Sequence, residues 1–442
     1  FNHDTKSSRP INVWPENTLG DGVEQMKYRF QWNFPIVFSK HNPKKLYTFS
    51  NHVHVTENEG QSWNLISPDL TRNDPSKLKS SGGPITKDNT GVEYYATIFA
   101  VDESPLKEGL MWVGSDDGLI HITKDGGKSW ENITPKGMPE WMMINSIDAS
   151  PFDEGTAYVA GTRYKLGDFT PYLYRTDNYG KSWKLITNGI ESEHFTRVLR
   201  SDKSKKGLLY SGTETGMYIS FNDGKSWEKF QKNLPIVPIT DLTIKDNSLI
   251  VATQGRSLWM IDDLTVIHQL DKNDSELKLY KPKDAYRVRG AGGNKSLTAG
   301  TNLPNGVILH YYIPEYDKEK DEIMLSFHSK DGQEIKSYGT KDKENKLEVK
   351  KGGNNFVWNM RHQGAEVLDG MILWATNFLG AKAIPGEYIV KLKHNDVEIS
   401  KSFNILQSPI SEASIEDMQL QFEFINEINS MVDNAHKSIK KM

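Results

Sequence analysis

At 442 residues the chain is long enough for two or three domains with separate cores, and its formal net charge of −4 gives it no general attraction for nucleic acid or an anionic membrane. The chain has no cysteine, which excludes disulfides, thiolate metal sites and a cysteine nucleophile but does not exclude export. A hydrophobic content of 36%, with 35 Gly, 19 Pro and 11 Trp, fits a turn-rich, mainly β protein, and no apolar run is long enough to span a bilayer.

Phe1 is not an initiator, and no basic-then-apolar leader pattern follows it, so the natural N-terminus is expected upstream. Ile11 to Trp14 reads as the outermost strand of a blade whose other strands would also lie upstream. From Pro35 onward an eight-residue frame recurs: Thr56-Glu-Asn58-Glu-Gly60-Gln-Ser62-Trp63, Thr123-Lys-Asp125-Gly-Gly127-Lys-Ser129-Trp130, Thr176-Asp-Asn178-Tyr-Gly180-Lys-Ser182-Trp183 and Ser220-Phe-Asn222-Asp-Gly224-Lys-Ser226-Trp227. Repeats at such spacing point to propeller blades or a solenoid. A hydroxyl followed by Asp or Asn can bond the turn's own backbone, and the Gly accepts positive φ. The Trp is expected to begin the returning strand and to wedge between neighbouring sheets. This frame resembles the Asp-box, or BNR repeat, of sialidases, sortilin-type receptors and many secreted bacterial proteins. In that family the boxes are structural, which implies architecture and no reaction.

Each unit reads as a four-strand meander punctuated by Gly, Pro and Asn. The first begins near Pro35. The second offers Ala96 to Asp102, Leu110 to Gly114, Leu119 to Lys124 and Trp130 to Thr134; the third Ile144 to Ala149, Ala157 to Gly161, Tyr172 to Thr176 and Trp183 to Thr187. The fourth runs from Arg197 through Leu208 to Ser211 and Met217 to Phe221, ending at Trp227. A fifth, Thr240 to Ile244, Leu249 to Thr253 and Ser257 to Ile261, stops after three strands. About five blades cannot easily close a ring without exposing strand edges and apolar faces, so upstream sequence or another chain is expected to supply the rest.

After this propeller portion (1–264), residues 265–276 read as a linker. Residues 277–406 carry about seven short strands, among them Val307 to Ile313, Ile323 to His328, Phe356 to Met360 and Tyr388 to Lys393, the last returning into Val397 to Ile405 across His394-Asn395-Asp396. An Ig-like or fibronectin-like sandwich is expected there. In 411–442, Ser414 and Asp417 form an approximate capping box for an amphipathic helix. Its stripe, Met418, Ile425, Val432 and Ile439 with Ile428, Ala435 and Met442 interleaved, is expected to need a partner, and the helix to continue past Met442.

Every Asp-box turn would lie on one face of the propeller, so a ligand is sought on the other, where the loops between second and third strands meet those between blades. The long loop Ser67 to Val92 brings Lys87 and Asp88, followed by Glu93 and Tyr94. Further along come Asp116, Asp117, Glu140, Trp141, Asn145, Arg163, Tyr164, Asp168, Glu193, His194, Arg197, Glu214, Gln254 and Arg256. Acids, arginines and aromatics converging there suit a peptide or sugar. For any one carboxylate the default is a solvated charge or an inter-blade salt bridge. A glycosidase would need two carboxyls flanking a bond, for which Asp88, Glu93, Asp117, Glu214 and Asp241 supply candidates. The sialidase arginine signature is absent. His52 and His54 share a strand face, a spacing that packing explains as readily as metal; no metal or cofactor is expected.

Residues 1–264 as a whole resemble a widespread group of large secreted bacterial BNR-repeat proteins. The likeness rests on Tyr28-Arg-Phe-Gln-Trp-Asn-Phe-Pro35, Gly82-Gly-Pro-Ile-Thr-Lys-Asp-Asn-Thr-Gly-Val-Glu-Tyr-Tyr95, Gly114-Ser-Asp-Asp-Gly118, Thr162-Arg-Tyr-Lys165, His194-Phe-Thr-Arg197, Gly212-Thr-Glu-Thr-Gly216 and Thr253-Gln-Gly-Arg256. Gly-Asn-Asn-Phe-Val-Trp-Asn-Met-Arg361 extends it into the sandwich. The resemblance implies export and a larger two-part propeller. Three functions stay open: a binding scaffold for a peptide, protein or glycan, docked at the cell surface through the sandwich and helix; a glycan-cleaving enzyme sharing its site with other blades; or a structural subunit of an outer-membrane assembly.

Overall fold

The computed structural model describes residues 1–16, 19–83, 85, 87–270, 275–288, 302–368, 370–372, 374 and 378–442. It divides into two compact units, Phe1–Ile261 and Asp262–Met442.

The first unit is a series of antiparallel meanders. Blade 1 comprises β1 (Ile36–Phe38), β2 (Leu46–Phe49), β3 (Val53–Thr56) and β4 (Asn64–Leu65); blade 2, β5 (Ile98–Glu103), β6 (Met111–Ser115), β7 (Ile120–Thr123) and β8 (Glu131–Asn132). Blade 3 comprises β9 (Met143–Ala149), β10 (Ala157–Arg163), β11 (Asp168–Thr176) and β12 (Lys184–Leu185); blade 4, β13 (Thr196–Ser201), β14 (Leu209–Thr213), β15 (Gly216–Ser220) and β16 (Glu228–Lys229). Blade 5 has three strands, β17 (Ile239–Lys245), β18 (Ser248–Thr253) and β19 (Leu258–Ile261). The second strands of blades 2 to 4 are buried up to the terminal Arg163 of β10, as expected for sheets packed on both faces. Fourth strands are shorter than expected, two residues each, and begin one residue after the box Trp. The chain then bends toward the next blade, with one further backbone bond, such as Ile133 N to Ile120 O, closing the ladder.

The four boxes fold alike. In the turn after β7, Asp125 accepts from Ser129 N at 3.0 Å and from Thr123 Oγ1 at 2.9 Å, while the Ser129 hydroxyl donates to its second oxygen at 2.6 Å. Asn58, Asn178 and Asn222 accept the same pair through Oδ1, but their Nδ2 donates to the serine hydroxyl, which reverses its role. A hydroxyl can do either, which is why Asp and Asn interchange here.

The box also joins blades. Trp130, Trp183 and Trp227 each donate the indole N–H to a backbone carbonyl of the blade before, on Ile66 at 2.8 Å, Ile133 at 2.7 Å and Ile186 at 2.6 Å. The box glycine, at positive φ, lies against the same isoleucine: a Cβ on Gly180 would come within 2.5 Å of Ile133 Cδ1. Trp63 and Gly60 make the same contacts to Ile11, so residues before blade 1 hold the position a preceding blade's isoleucine would take.

In the second unit a five-residue helix α1 (Thr265–Gln269) lies in the stretch read as a linker, of which 271–274 are outside the described residues. Eight strands follow: β20 (Lys278–Leu279), β21 (Ala285–Arg287), β22 (Val307–Ile313), β23 (Ile323–Ser329), β24 (Glu334–Gly339), β25 (Gly352–Trp358), β26 (Gly386–His394) and β27 (Val397–Gln407). They form a three-stranded sheet β20-β22-β25 and a five-stranded sheet β21-β27-β26-β23-β24, in which β21 runs parallel to β27. Both sheets contribute to one core, where Trp358 stacks on Phe327 with ring centroids 4.3 Å apart. Asn395 and Asp396 make the two-residue turn between β26 and β27, Asn395 taking φ of 52°.

Helix α2 (Ile415–Lys441) starts at the Ser414–Asp417 capping box. Its packing follows the heptad stripe only in part, at Met418, Ile425 and Val432. Met418 and His436 are buried, Phe422 meets His362, and Asp433 accepts from Glu366 N, whereas Ile428, Ala435, Ile439 and Met442 are exposed. The docked side also makes polar bonds to Glu366 and to Leu379 O, which a hydrophobic periodicity does not register. No helix among the described residues is long and apolar enough to cross a membrane.

Candidate functional site

The first strands of all five blades converge on a cavity of about 760 Å³. Four of them carry a bulge at the same point: the register between first and second strands skips Phe99 in β5, Asn145 in β9, Arg197 in β13 and Thr240 in β17. A bulge re-aims its extra side chain, and these four all line the cavity. Opposite the bulges in blades 2, 3 and 4 stand Gly114, Gly161 and Gly212; a Cβ on Gly114 would strike Ile144, and one on Gly212 would strike Ile239. Bulge and glycine together let neighbouring blades approach closely beside the cavity.

Arg197 holds the centre of the arrangement. Its guanidinium meets Glu214 at 2.6 Å and lies 5.3 Å from the Tyr164 ring and 5.2 Å from that of Phe195, which stack on each other at 5.1 Å. Gln31 and Asn33 bring amides from the segment before blade 1, and Lys165 follows Tyr164 at the rim. Asp241 is the acidic residue in this lining among the described residues, and it is paired with Arg200 at 2.9 Å. Planar amides, an arginine and an aromatic face suit a polar ligand that offers both hydrogen bonds and a flat apolar side.

The remaining site residues named from sequence fall into separate groups. Trp141, at φ of 62°, stacks with Tyr95 at 6.5 Å and lies under the Arg72 guanidinium at 4.9 Å. Asp117 is buried and accepts from Arg72 N and Ser115 Oγ, so it fixes a loop. Asp116 beside it accepts from Thr97 N and Oγ1, both at 2.8 Å, and burial pushes its carboxyl up to about 7. Arg163 pairs with Asp168 at 2.7 Å, and burial notwithstanding, hydrogen bonds from Thr170, Tyr172 and Arg163 hold that carboxyl down to about 2. His194 meets Tyr218 at 2.7 Å and Glu191 at 3.0 Å. Arg256 is exposed and bonds its neighbour Gly255.

Within the long loop Lys87 pairs loosely with Asp21, Asp88 is exposed, Glu93 caps a short helical turn with Thr90, and Tyr94 is buried with Val23, Leu78 and Ala96. Its residues 84 and 86 lie outside the described residues. The loop is anchored by buried Arg29, which donates to Asp69, Thr71, Asn73 and Ala96 O. His54, buried between Tyr28 and Phe30 and bonded to Ser50, is a packed histidine whose burial brings its pKa down to about 4.

Sequence reasoning missed Gln31, Asn33, Phe99, Lys165, Phe195 and Arg200. A bulge leaves no mark that strand alternation can detect; the glycines opposite it, each after a β-branched or small residue in the second strand, were the available signal.

The family model for sortilin (Sortilin-Vps10: Sortilin, neurotensin receptor 3) matches residues 118–257. An oligoxyloglucan-reducing end-specific xyloglucanase of Emericella nidulans is 26% identical over 108 residues, covering 24% of this chain and 13% of that protein. A vacuolar protein sorting/targeting protein 10 of Laccaria bicolor is 31% identical over 121 residues, 27% of this chain and 7% of its own length. The chain therefore matches only a small part of these curated relatives. Among solved structures, the GH74 xyloglucanase of Xanthomonas campestris aligns with TM-score 0.38 and 15% identity over 56% of this chain and 38% of its own. An ancestral GH74 enzyme gives TM-score 0.38 and 16% identity over 75% and 39%.

Proposed function

We propose that this chain, whose first unit is a BNR/Vps10-like β-propeller, is a non-enzymatic binding scaffold that holds an extended polar ligand, a glycan or a peptide segment, in the cavity where its blades meet. The observation that carries this reading is the repeated bulge: four consecutive blades each present one side chain, Phe99, Asn145, Arg197 and Thr240, to the same space. Hydrolysis would need two carboxyls facing across a scissile bond. In this cavity Asp241 is tied to Arg200, and the nearby Glu214 is tied to Arg197.

The scaffold is exported, and its second unit, read as an Ig-like module with a terminal helix, serves as the attachment piece. Further blades cover the faces where Ile36 and Phe38 of β1 and Leu258 and Met260 of β19 are exposed. Ile11 in the place of an inter-blade isoleucine supports that extension.

Glycan and peptide arrays, followed by calorimetry on the best ligand, test the reading. Arg197→Gln should weaken binding about tenfold, roughly 1.4 kcal/mol, with no product released from the bound ligand. Release of reducing sugar from a bound glycan, abolished by Asp241→Asn, would sink it in favour of an enzyme.

A further inference from the structure

The second unit contains a cavity of about 810 Å³ with an unusual charge arrangement. Arg287 closes β21, and Arg361 and Lys382 face each other across an isolated bridge; all three line the cavity. Each is half-buried, and the acceptors they meet among the described residues are neutral. Arg287 donates to Ala383 O at 3.1 Å and to Gln421 Oε1 at 3.2 Å, Arg361 to Gly380 O at 2.9 Å, and Lys382 to Val288 O at 2.7 Å. Asp417 also borders the space, but its carboxylate is engaged in the Ser414 cap. Burial, then repulsion from the two arginines, lowers the Lys382 pKa, and burial with Arg361 does the same to Arg287. Three partly desolvated cations share this space with one carboxylate, Asp417, whose Oδ2 is held by the Ser414 cap, and the excess positive charge is unfavourable unless an anion completes the set. Ile410, with Met418 and Ile425 of α2, adds apolar surface to the same lining.

We propose that this cavity binds an organic acid: its carboxylate sits among Arg287, Arg361 and Lys382, and its hydrocarbon part lies against Ile410, Met418 and Ile425. Arginine forks match a carboxylate in two-point fashion, and the apolar surface selects a substituted acid over a bare inorganic anion. This site is independent of the propeller cavity, so either can fail without the other.

Calorimetry on the full chain at low ionic strength tests it, with N-acetyl-L-leucine as probe and inorganic phosphate as comparator. The probe should bind one to one, lose about tenfold in affinity with Arg361→Gln, and weaken steeply in about 0.5 M salt. Gln421→Glu guards against a variant that merely misfolds, because it places a carboxylate beside Arg287. That variant should melt higher than the parent at low salt and no longer bind the probe. Absence of probe binding, binding of phosphate alone, or a Gln421→Glu protein that melts no higher and binds as before overturns the proposal.

Discussion

Asp125 shows how a single side chain can be replaced without loss when its surroundings are ambivalent. Hydrogen bonds from Ser129 hold its carboxyl down to about 2, so its stabilising contribution is present above the unfolded value near 3.9 and fades as pH falls through 2. Asp125→Asn should leave the melting temperature at pH 7 unchanged and remove that acid sensitivity, since three sister turns already work with Asn. A drop of several degrees at neutral pH would show that the carboxylate does something the amide cannot. Asp116 is the opposite case. Burial raises it to about 7, so the folded state keeps a proton that the unfolded chain has lost, and stability declines as pH rises from about 4 to about 7. Asp116→Asn should therefore gain on the parent by on the order of 1 kcal/mol at pH 8 while showing no gain at pH 4, measured by urea unfolding at both.

At the scale of the element, the box is a turn that reaches into its neighbour. The turn itself is local: hydroxyl, amide and glycine bond within eight residues. The tryptophan and glycine act across the gap, and the isoleucine they meet directly follows the preceding blade's fourth strand. Trp183→Phe keeps the ring and deletes the donor, leaving Ile133 O without its partner; a loss of about 1 kcal/mol is expected. Gly180→Ala should cost more than that, because its φ of 81° and the 2.5 Å approach to Ile133 both oppose a Cβ. Equal stability of Trp183→Phe and the parent in urea melts would mean the bond is replaced by water.

At the scale of the molecule, the two units have their own cores, one distributed between blades and one shared by two sheets. Calorimetry should resolve two transitions, and Trp183→Phe should lower one of them only. A single transition shifted as a whole would show that the units unfold together. The cavity in the first unit belongs to this scale as well, since no blade contains it: Asn145, Arg197 and Thr240 are far apart in sequence and meet because each blade repeats the same bulge.

The sequence by itself determined the repeat, the number and order of meanders, the missing fourth strand of the fifth unit and the capped terminal helix. These depend on short-range chemistry: turn residues at fixed offsets, strand alternation, a hydroxyl three residues before a carboxylate. What the tertiary structure decided was which polar residues face a common space. Arg197 and Tyr164 converge while Tyr94 and Asp117 turn inward, and Arg287, Arg361 and Lys382 gather although 74 and 21 residues separate them along the chain. The reason is physical: a bulge, a close glycine contact or a neutral carbonyl accepting from a cation depends on what the neighbouring element presents, and local sequence carries no record of its neighbour.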